Sequence, residues 1–204
     1  MLNIAVMVSG GGTNLQSLID AEKQGNIQDG KITLVISSNP NAYAIERAKK
    51  NGINWEIISK KAFSDVRAFD EKIKQTLKEN NIGLVVLAGY LSIVGEAVLS
   101  EYKNRIMNVH PSLLPAFGGG GFYGLKVHEA AIARGVKITG ATVHFVNEIV
   151  DGGEIIMQKC VEVKEGDTPE ILQKRVMEQA EQIILPKAVA LFCQEKVKVR
   201  GKTV

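Results

Sequence analysis

A chain of 204 residues with 45% hydrophobic and 23% charged residues is long enough for one full core and has the make-up of an ordinary globular domain. A net charge of +3 and 5% aromatic content argue against a nucleic-acid surface, which needs a concentrated basic face with stacking rings. No stretch approaches the ~20 continuous apolar residues that span a bilayer, and Leu2 to Val8 is too short and lacks the cationic lead of a signal peptide.

Strand and helix signals then alternate along the chain. Ile4 to Val8 is a short apolar run that fits a buried parallel strand. A glycine turn follows, then a helical pattern from about Asn14 to Lys23. Lys31 to Ile36 reads as the second strand, Ala42 to Asn51 as a helix ended by Gly52, and Trp55 to Ile58 as the third strand. Ser64-Asp65 can cap a helix running to about Glu79. Leu84 to Leu87 is the most hydrophobic strand and is expected at the centre of the sheet, with Arg105 to Val109 as the next one. Leu125 to Arg134 reads as a helix closed by Gly135, and Thr139 to Val146 and Glu154 to Val163 as strands. The last element runs from Thr168 to about Phe192, with Pro169 at an early helical position and Pro186 expected to kink or break it. Cys160 and Cys193 fit no metal spacing and read as buried or idle thiols in a reducing cytosol. The basic tail Lys196 to Lys202 is expected to be a solvated end. No linker, repeat or low-complexity tract divides the chain, so residues 1–204 are expected to form one α/β domain of three layers, with a twisted, mostly parallel sheet.

Two stretches carry candidate chemistry. In Asn108-Val109-His110-Pro111-Ser112-Leu113-Leu114-Pro115, strand alternation sends Asn108 and His110 to one face, and Pro111 stops the strand. Asp151 follows later, before Gly152-Gly153. An amide that donates without titrating, an imidazole that titrates near neutrality and a carboxylate that can orient it make a set of complementary roles. Taken singly, a histidine at a strand end and an Asp-Gly pair are ordinary solvated or turn residues. The other stretch, Ser9-Gly10-Gly11-Gly12-Thr13-Asn14, joins a strand to a helix, where the amides of Gly12, Thr13 and Asn14 can form a phosphate cradle. It lacks the third glycine of a dinucleotide fingerprint and the lysine of a Walker loop, and by itself it leaves a ligand-free turn equally open.

Taken together these segments resemble the folate-dependent formyltransferases. The resemblance runs through Ser9 to Gln16, Leu87-Ala88-Gly89-Tyr90, Asn108 to Pro115, Thr142 to Val146 and Asp151-Gly152-Gly153, in the family's order, and extends to Gly166-Asp167-Thr168 and the C-terminal helix. The Asn-x-His-Pro and later Asp belong to the chemistry of the whole family. The Ser-Gly-Gly-Gly-Thr-Asn-Leu loop is similar to that of the purine-biosynthetic branch, which formylates the amine of phosphoribosylglycinamide with 10-formyltetrahydrofolate. The resemblance implies a mixed sheet of about seven strands, an N-terminal half that binds phosphate and a C-terminal half that is folate-binding and catalytic. It implies catalysis by Asn108, His110 and Asp151. Substrate would be held by Gly12, Thr13, Asn14 and Gly89, with Glu181 on the ribose hydroxyls. Backbone groups of Leu91, Ser92, Ile93 and Val94 would meet the pterin ring, Asn108 would also touch the folate, and Arg67 would take its glutamate tail. Ser92 stands where some relatives carry Arg, and Val66 where relatives often have a basic residue.

Other implications concern mechanism and setting. Asn108 and a protonated His110 would stabilise the oxyanion of formyl transfer, with Asp151 raising the His110 pKa above ~6.5. His144 is expected to play a supporting part, and His128 to be a surface or packing residue. The glycine-rich run Phe117 to Phe122 reads as mobile and as a lid beside the folate. The partners implied are small molecules, with no metal, nucleic acid or membrane, and the chain is expected to be cytoplasmic and a monomer or homodimer. Alternative readings are a formyltransferase acting on methionyl-tRNA, which carries an additional C-terminal domain, or on nucleotide sugars, a formyltetrahydrofolate hydrolase, which typically carries an extra N-terminal domain, and a non-catalytic phosphoribosyl-binding module.

Overall fold

The computed structural model describes residues 1–201 and 203–204, so Lys202, the last cation of the basic tail, lies outside the described residues. Seven strands form one sheet in the order β3-β2-β1-β4-β5-β6-β7. They are β1 (Leu2–Val8), β2 (Gly30–Ser37), β3 (Asn54–Ile57), β4 (Ile82–Leu87), β5 (Ile106–His110), β6 (Ile138–Phe145) and β7 (Ile155–Glu162). The first five are parallel, and β6 and β7 run antiparallel to their neighbours. The most apolar strand, β4, is fourth of the seven and so central, as its composition indicates.

Alternation along β1 shows why the chain forms three layers. Ile4, Val6 and Val8 enter one core, with Leu15 and Leu18 of α1 (Thr13–Lys23), Ala44 of α2 (Tyr43–Lys50), Ala131 of α5 (Leu125–Arg134), Leu172 of α6 (Pro169–Val176) and Leu185 of α7 (Gln182–Cys193). Ala5 and Met7 enter the other, with Phe69 and Ile73 of α3 (Val66–Glu79) and Val98 of α4 (Glu96–Glu101). Both faces of a parallel strand are buried, so the run is apolar throughout rather than alternating with polar residues.

Three local features depart from the sequence expectations. Pro186 lies inside α7 without ending it, and the irregularity sits upstream as a π-helical turn, Met177–Glu181. α4 has no periodic signal at six residues, and its N-terminus is held by a residue of another helix: buried Asp70 accepts from the amides of Gly95 at 2.9 Å, Ala97 at 2.7 Å and Val98 at 3.3 Å. In the basic tail, Val197 and Val199 pack against the first core, so that segment is not free in solvent. Asp65 caps α3 as expected, accepting from Ala68 N at 2.8 Å. Cys193 is buried, which pushes its thiol up to about 11, while Cys160 is exposed.

β1 pairs with β2 on one side and β4 on the other, so the loops that follow β1 and β4 diverge at the carboxyl edge of the sheet. That divergence is where open α/β sheets form a crevice for ligands. No helix among the described residues is long and apolar enough to cross a membrane.

Candidate active site

The polar cluster at the carboxyl end of β5 follows from strand register. β5 pairs with β6 so that Asn108 stands opposite His144 and His110 opposite Thr142. Asn108 Nδ2 lies 3.2 Å from His144 Nε2, while His144 Nδ1 is 2.7 Å from the Phe145 carbonyl. A carbonyl only accepts, so His144 Nδ1 carries the proton and, in the neutral ring, Nε2 receives the Asn108 amide. That orients Asn108 and leaves its second amide hydrogen free to serve a ligand.

Asp151 reaches both imidazoles, with one carboxylate oxygen 3.5 Å from His110 Nδ1 and the other 3.6 Å from His144 Nε2. It does so from a tight turn, closed by Gly152 N to Ile149 O at 2.9 Å, in which Asp151 itself has a left-handed φ of 56°. A non-glycine residue held in that region is strained, and such strain persists only where surrounding contacts enforce it. Gly153 follows because its Cα passes so close to the Phe145 carbonyl that a β-carbon there would overlap backbone. Burial alone would raise the Asp151 pKa, but the neighbouring His144 and His110 rings and the hydrogen bond from the Gly119 amide overcome it and hold the carboxyl below its usual range.

The same geometry corrects the expected charge on His110. His110 is only 4% exposed, and burial, the dominant influence, lowers its pKa despite the opposing charge of Asp151 and the Phe117 carbonyl. Burial therefore favours the neutral ring of His110. Its Nε2 is 2.8 Å from the Phe117 carbonyl and must carry the proton, which leaves Nδ1 as the unprotonated nitrogen facing Asp151.

The glycine run is anchored in this structure rather than loose. Phe117, at φ 51°, covers His110, Gly119 N donates to Asp151 Oδ2 at 2.9 Å, and the rings of Phe117 and Phe122 meet edge to face at 6.3 Å. His128 takes the packing place of the two expected for it. It is buried, both ring nitrogens lack partners among the described residues, and desolvation pushes its pKa down to about 4.

Around this cluster stand the two loops of the crevice. Gly12 has φ 70° and begins α1, whose first bond runs from Gln16 N to Gly12 O at 2.9 Å, so the amides of Thr13 to Leu15 are the helix's free donors. A side chain at Gly12 would lie 2.7 Å from Ala44 Cβ, so glycine there is required by packing as well as by backbone conformation. Thr13 Oγ1 contacts Met177 Sδ at 3.1 Å. Asn14 Nδ2 donates to Glu181 Oε2 at 2.7 Å, which brings residues from the two ends of the chain together. Burial raises the Glu181 pKa against that one hydrogen bond. The π-helical turn ends at Glu181, and such wide turns recur at functional sites.

Gly89 has φ 71° with open space around it, and its carbonyl accepts from Ser9 N at 3.1 Å. Beyond it Leu91 and Ile93 are exposed apolar residues, Ser92 is half-buried, and the Val94 side chain belongs to the second core, so any ligand contact of Val94 is through its backbone. Tyr90, largely buried, has its hydroxyl pushed up to about 12 by desolvation. Arg67 is exposed in the first turn of α3, and no hydrogen bond or ion pair among the described residues connects it to the cluster.

Sequence reasoning missed two residues. Ser9 Oγ accepts from Leu91 N at 2.9 Å and meets Ser38 Oγ at 2.6 Å, joining the loops after β1, β2 and β4. Arg47 of α2 donates to the Gly11 carbonyl at 2.8 Å. Ser9 lies inside the motif and could have been singled out; Arg47 has no local signal. Among the described residues no group of three or more His, Cys, Asp or Glu side chains could hold a metal ion.

Known proteins share this fold. Residues 2–189 match the family described as formyl transferase. The phosphoribosylglycinamide formyltransferase of Haemophilus influenzae is 38% identical over 200 residues, 98% of this chain and 91% of the relative. A chloroplastic phosphoribosylglycinamide formyltransferase of Vigna unguiculata is 38% identical over 195 residues, but this chain spans only 62% of that relative's length. The crystal structure of glycinamide ribonucleotide transformylase 1 from Symbiobacterium toebii superposes with a TM-score of 0.94 at 41% identity, covering 100% of this chain and 93% of that one. With the family matched along nearly the full length and the strand-end cluster in place, the chain belongs to the formyl transferase family.

Proposed function

We propose that the chain transfers the formyl group of 10-formyltetrahydrofolate to the amine of phosphoribosylglycinamide, yielding the formylated ribonucleotide of purine biosynthesis. The observation that supports this reading is one cluster, Asn108, His110, His144 and Asp151, at the carboxyl end of β5, on the same edge of the sheet as the glycine loop that opens α1. The names of the relatives point to the same substrates. The amides of Thr13 and Asn14 and the glycine backbone hold the phosphate, Glu181 with Asn14 meets the ribose, and the Gly89–Val94 backbone borders the pterin. The exposed apolar side chains Leu91 and Ile93 suit a flat heterocycle. Arg67, exposed in its first turn, is the cation available to the glutamate tail.

Amine attack on the formyl carbon develops charge on the formyl oxygen, and Asn108, oriented by His144, donates its free amide hydrogen to that charge. A neutral His110 acts as the proton acceptor rather than as a permanently charged donor. It takes the proton released by the attacking amine, becomes an imidazolium beside Asp151, and returns the proton to the folate nitrogen that leaves. Asp151 thus does its work after proton transfer, when the imidazolium needs a counter-charge in a buried site. The Phe117 carbonyl holds the Nε2 proton in the resting site, so substrate binding breaks that hydrogen bond, the ring proton moves to Nδ1 beside Asp151, Nε2 becomes the acceptor for the amine's proton, and the Phe117–Phe122 segment moves as a lid.

Steady-state rates of two variants test this reading. His110→Ala should fold and lose about 10²-fold or more in kcat. Asn108→Ala should lose a comparable amount with an unaltered pH-profile shape, because an amide does not titrate. A well-folded His110→Ala enzyme with near-wild-type kcat would contradict the mechanism.

A further inference from the structure

We infer that Arg47 is a positioning residue for the anion-binding loop, and that α2 uses it to aim the loop's amides at the phosphate of the amine substrate. The inference rests on the reading above that this loop holds a phosphate, and it deepens that reading by naming what shapes the cradle.

Two consecutive carbonyls of the loop are tied to α2. The Ala44 amide, a donor of the helix's first turn with no partner inside the helix, gives its hydrogen to Gly10 O at 3.2 Å. Arg47, one turn further on, gives the Nε hydrogen to Gly11 O at 2.8 Å. Its Nη1 reaches Gln16 Oε1 on α1 at 3.0 Å, so one planar guanidinium bridges α2, the loop and α1. The Tyr43 ring supports it, with the guanidinium carbon 5.2 Å from the ring centroid.

In a planar trans peptide the carbonyl and the following N–H point in opposite directions. Pinning the carbonyls of Gly10 and Gly11 onto α2 therefore turns the amides of Gly11 and Gly12 away from it. Those amides then stand as donors beside the free amides of Thr13 to Leu15. Ala44 Cβ fills the space that a side chain on Gly12 would need, so the loop lies flush on the clamp. Arg47 also brings a permanent positive charge next to the cradle, which suits a dianionic ligand. Glycine gives the loop its freedom, and α2 selects one conformation from it.

The test compares the full-length wild type with Arg47→Met, Arg47→Lys and Lys50→Gln. Lys50 lies on the same helix and approaches the same Tyr43 ring, at 5.9 Å, without a hydrogen bond to the loop, so it controls for the loss of one charge. The readouts are KM for phosphoribosylglycinamide, KM for the formyl folate, kcat, competition by inorganic phosphate, and thermal melting. Arg47→Met should raise the amine KM and weaken phosphate competition by about tenfold or more, with kcat and folate KM within about twofold. Arg47→Lys keeps the charge but replaces the fork with a single point donor, so most of the loss should remain. Lys50→Gln should behave as wild type. If Arg47→Met melts early, Arg47→Lys carries the comparison alone.

Full recovery in Arg47→Lys, equal losses for both substrates, or an Arg47→Met enzyme that phosphate inhibits as it does the wild type would overturn the clamp. Failure of phosphate to compete with the amine in the wild type is a different result, and it would overturn the phosphate reading itself.

Discussion

Asp151 faces two imidazoles at 3.5 and 3.6 Å, and its effect on His110 is set by a contest between charge and burial. Burial wins, so His110 rests below its ordinary pKa, and the acid limb of kcat/KM should fall below ~6.5, the unperturbed histidine value. Asp151→Asn preserves shape and deletes the larger of the two influences that favour the imidazolium. The His110 titration followed by NMR should then move to still lower pH, and kcat should fall by about 10²-fold. An unmoved titration with full activity would reduce Asp151 to a turn residue. Glu181 offers a second case, in which burial raises a carboxyl pKa. An acid whose folded pKa lies above its unfolded pKa binds more protons when folded, so stability is greatest below the unfolded value of ~4.3 and declines as pH rises toward the folded one. Glu181→Gln should therefore melt higher than wild type at pH 8, with the difference vanishing near pH 4, while the KM for the ribonucleotide rises. Calorimetric melts at the two pH values and amine titrations check this; a Gln variant less stable at pH 8 would contradict it.

Elements hold these residues through contacts that cross long sequence distances. The alternation of β1 and the central place of β4 were legible because both faces of the sheet are buried and apolar runs report that directly. The pairing of Asn108 with Asp151 was legible only as a family pattern, since the antiparallel register that places His144 between them is not written in either strand alone. α4 escaped notice because a six-residue helix shows no periodicity and its cap, Asp70, lies 25 residues upstream of the first amide it accepts. The sign of the His110 shift could not be read at all, because burial is a property of the finished fold. Asp70 also gives an element-level prediction. Removing it leaves three amides of the α4 N-terminus, one buried and two part-buried, without an acceptor, so Asp70→Ala should cost about 3 kcal/mol in urea unfolding. Because α4 anchors the segment after Gly89, the folate KM should rise more than the amine KM. Equal changes in both, or an unchanged midpoint, would show that α4 does not depend on this cap.

For the molecule as a whole, three loops at one edge of a seven-stranded sheet divide the labour. On the proposed function, the loop after β1 takes the anion, the segment after β4 the flat ring, and the end of β5 with the Asp151 turn supplies the groups for proton transfer and charge stabilisation. Ser9 joins the first two through Leu91 N and Gly89 O, and the Phe117–Gly119 backbone closes over the third. A two-substrate transfer needs all three at once, whereas a hydrolase needs no amine and a simple phosphoribosyl-binding module needs no Asn108, His110 and Asp151 together. The most direct measurement supplies 10-formyltetrahydrofolate at saturation, varies phosphoribosylglycinamide, and follows formylated ribonucleotide and free formate separately. Formylated product that rises to saturation with the amine, matched one-for-one by folate consumed and with little formate, is the expected result. Formate released at a rate independent of the amine would contradict the account.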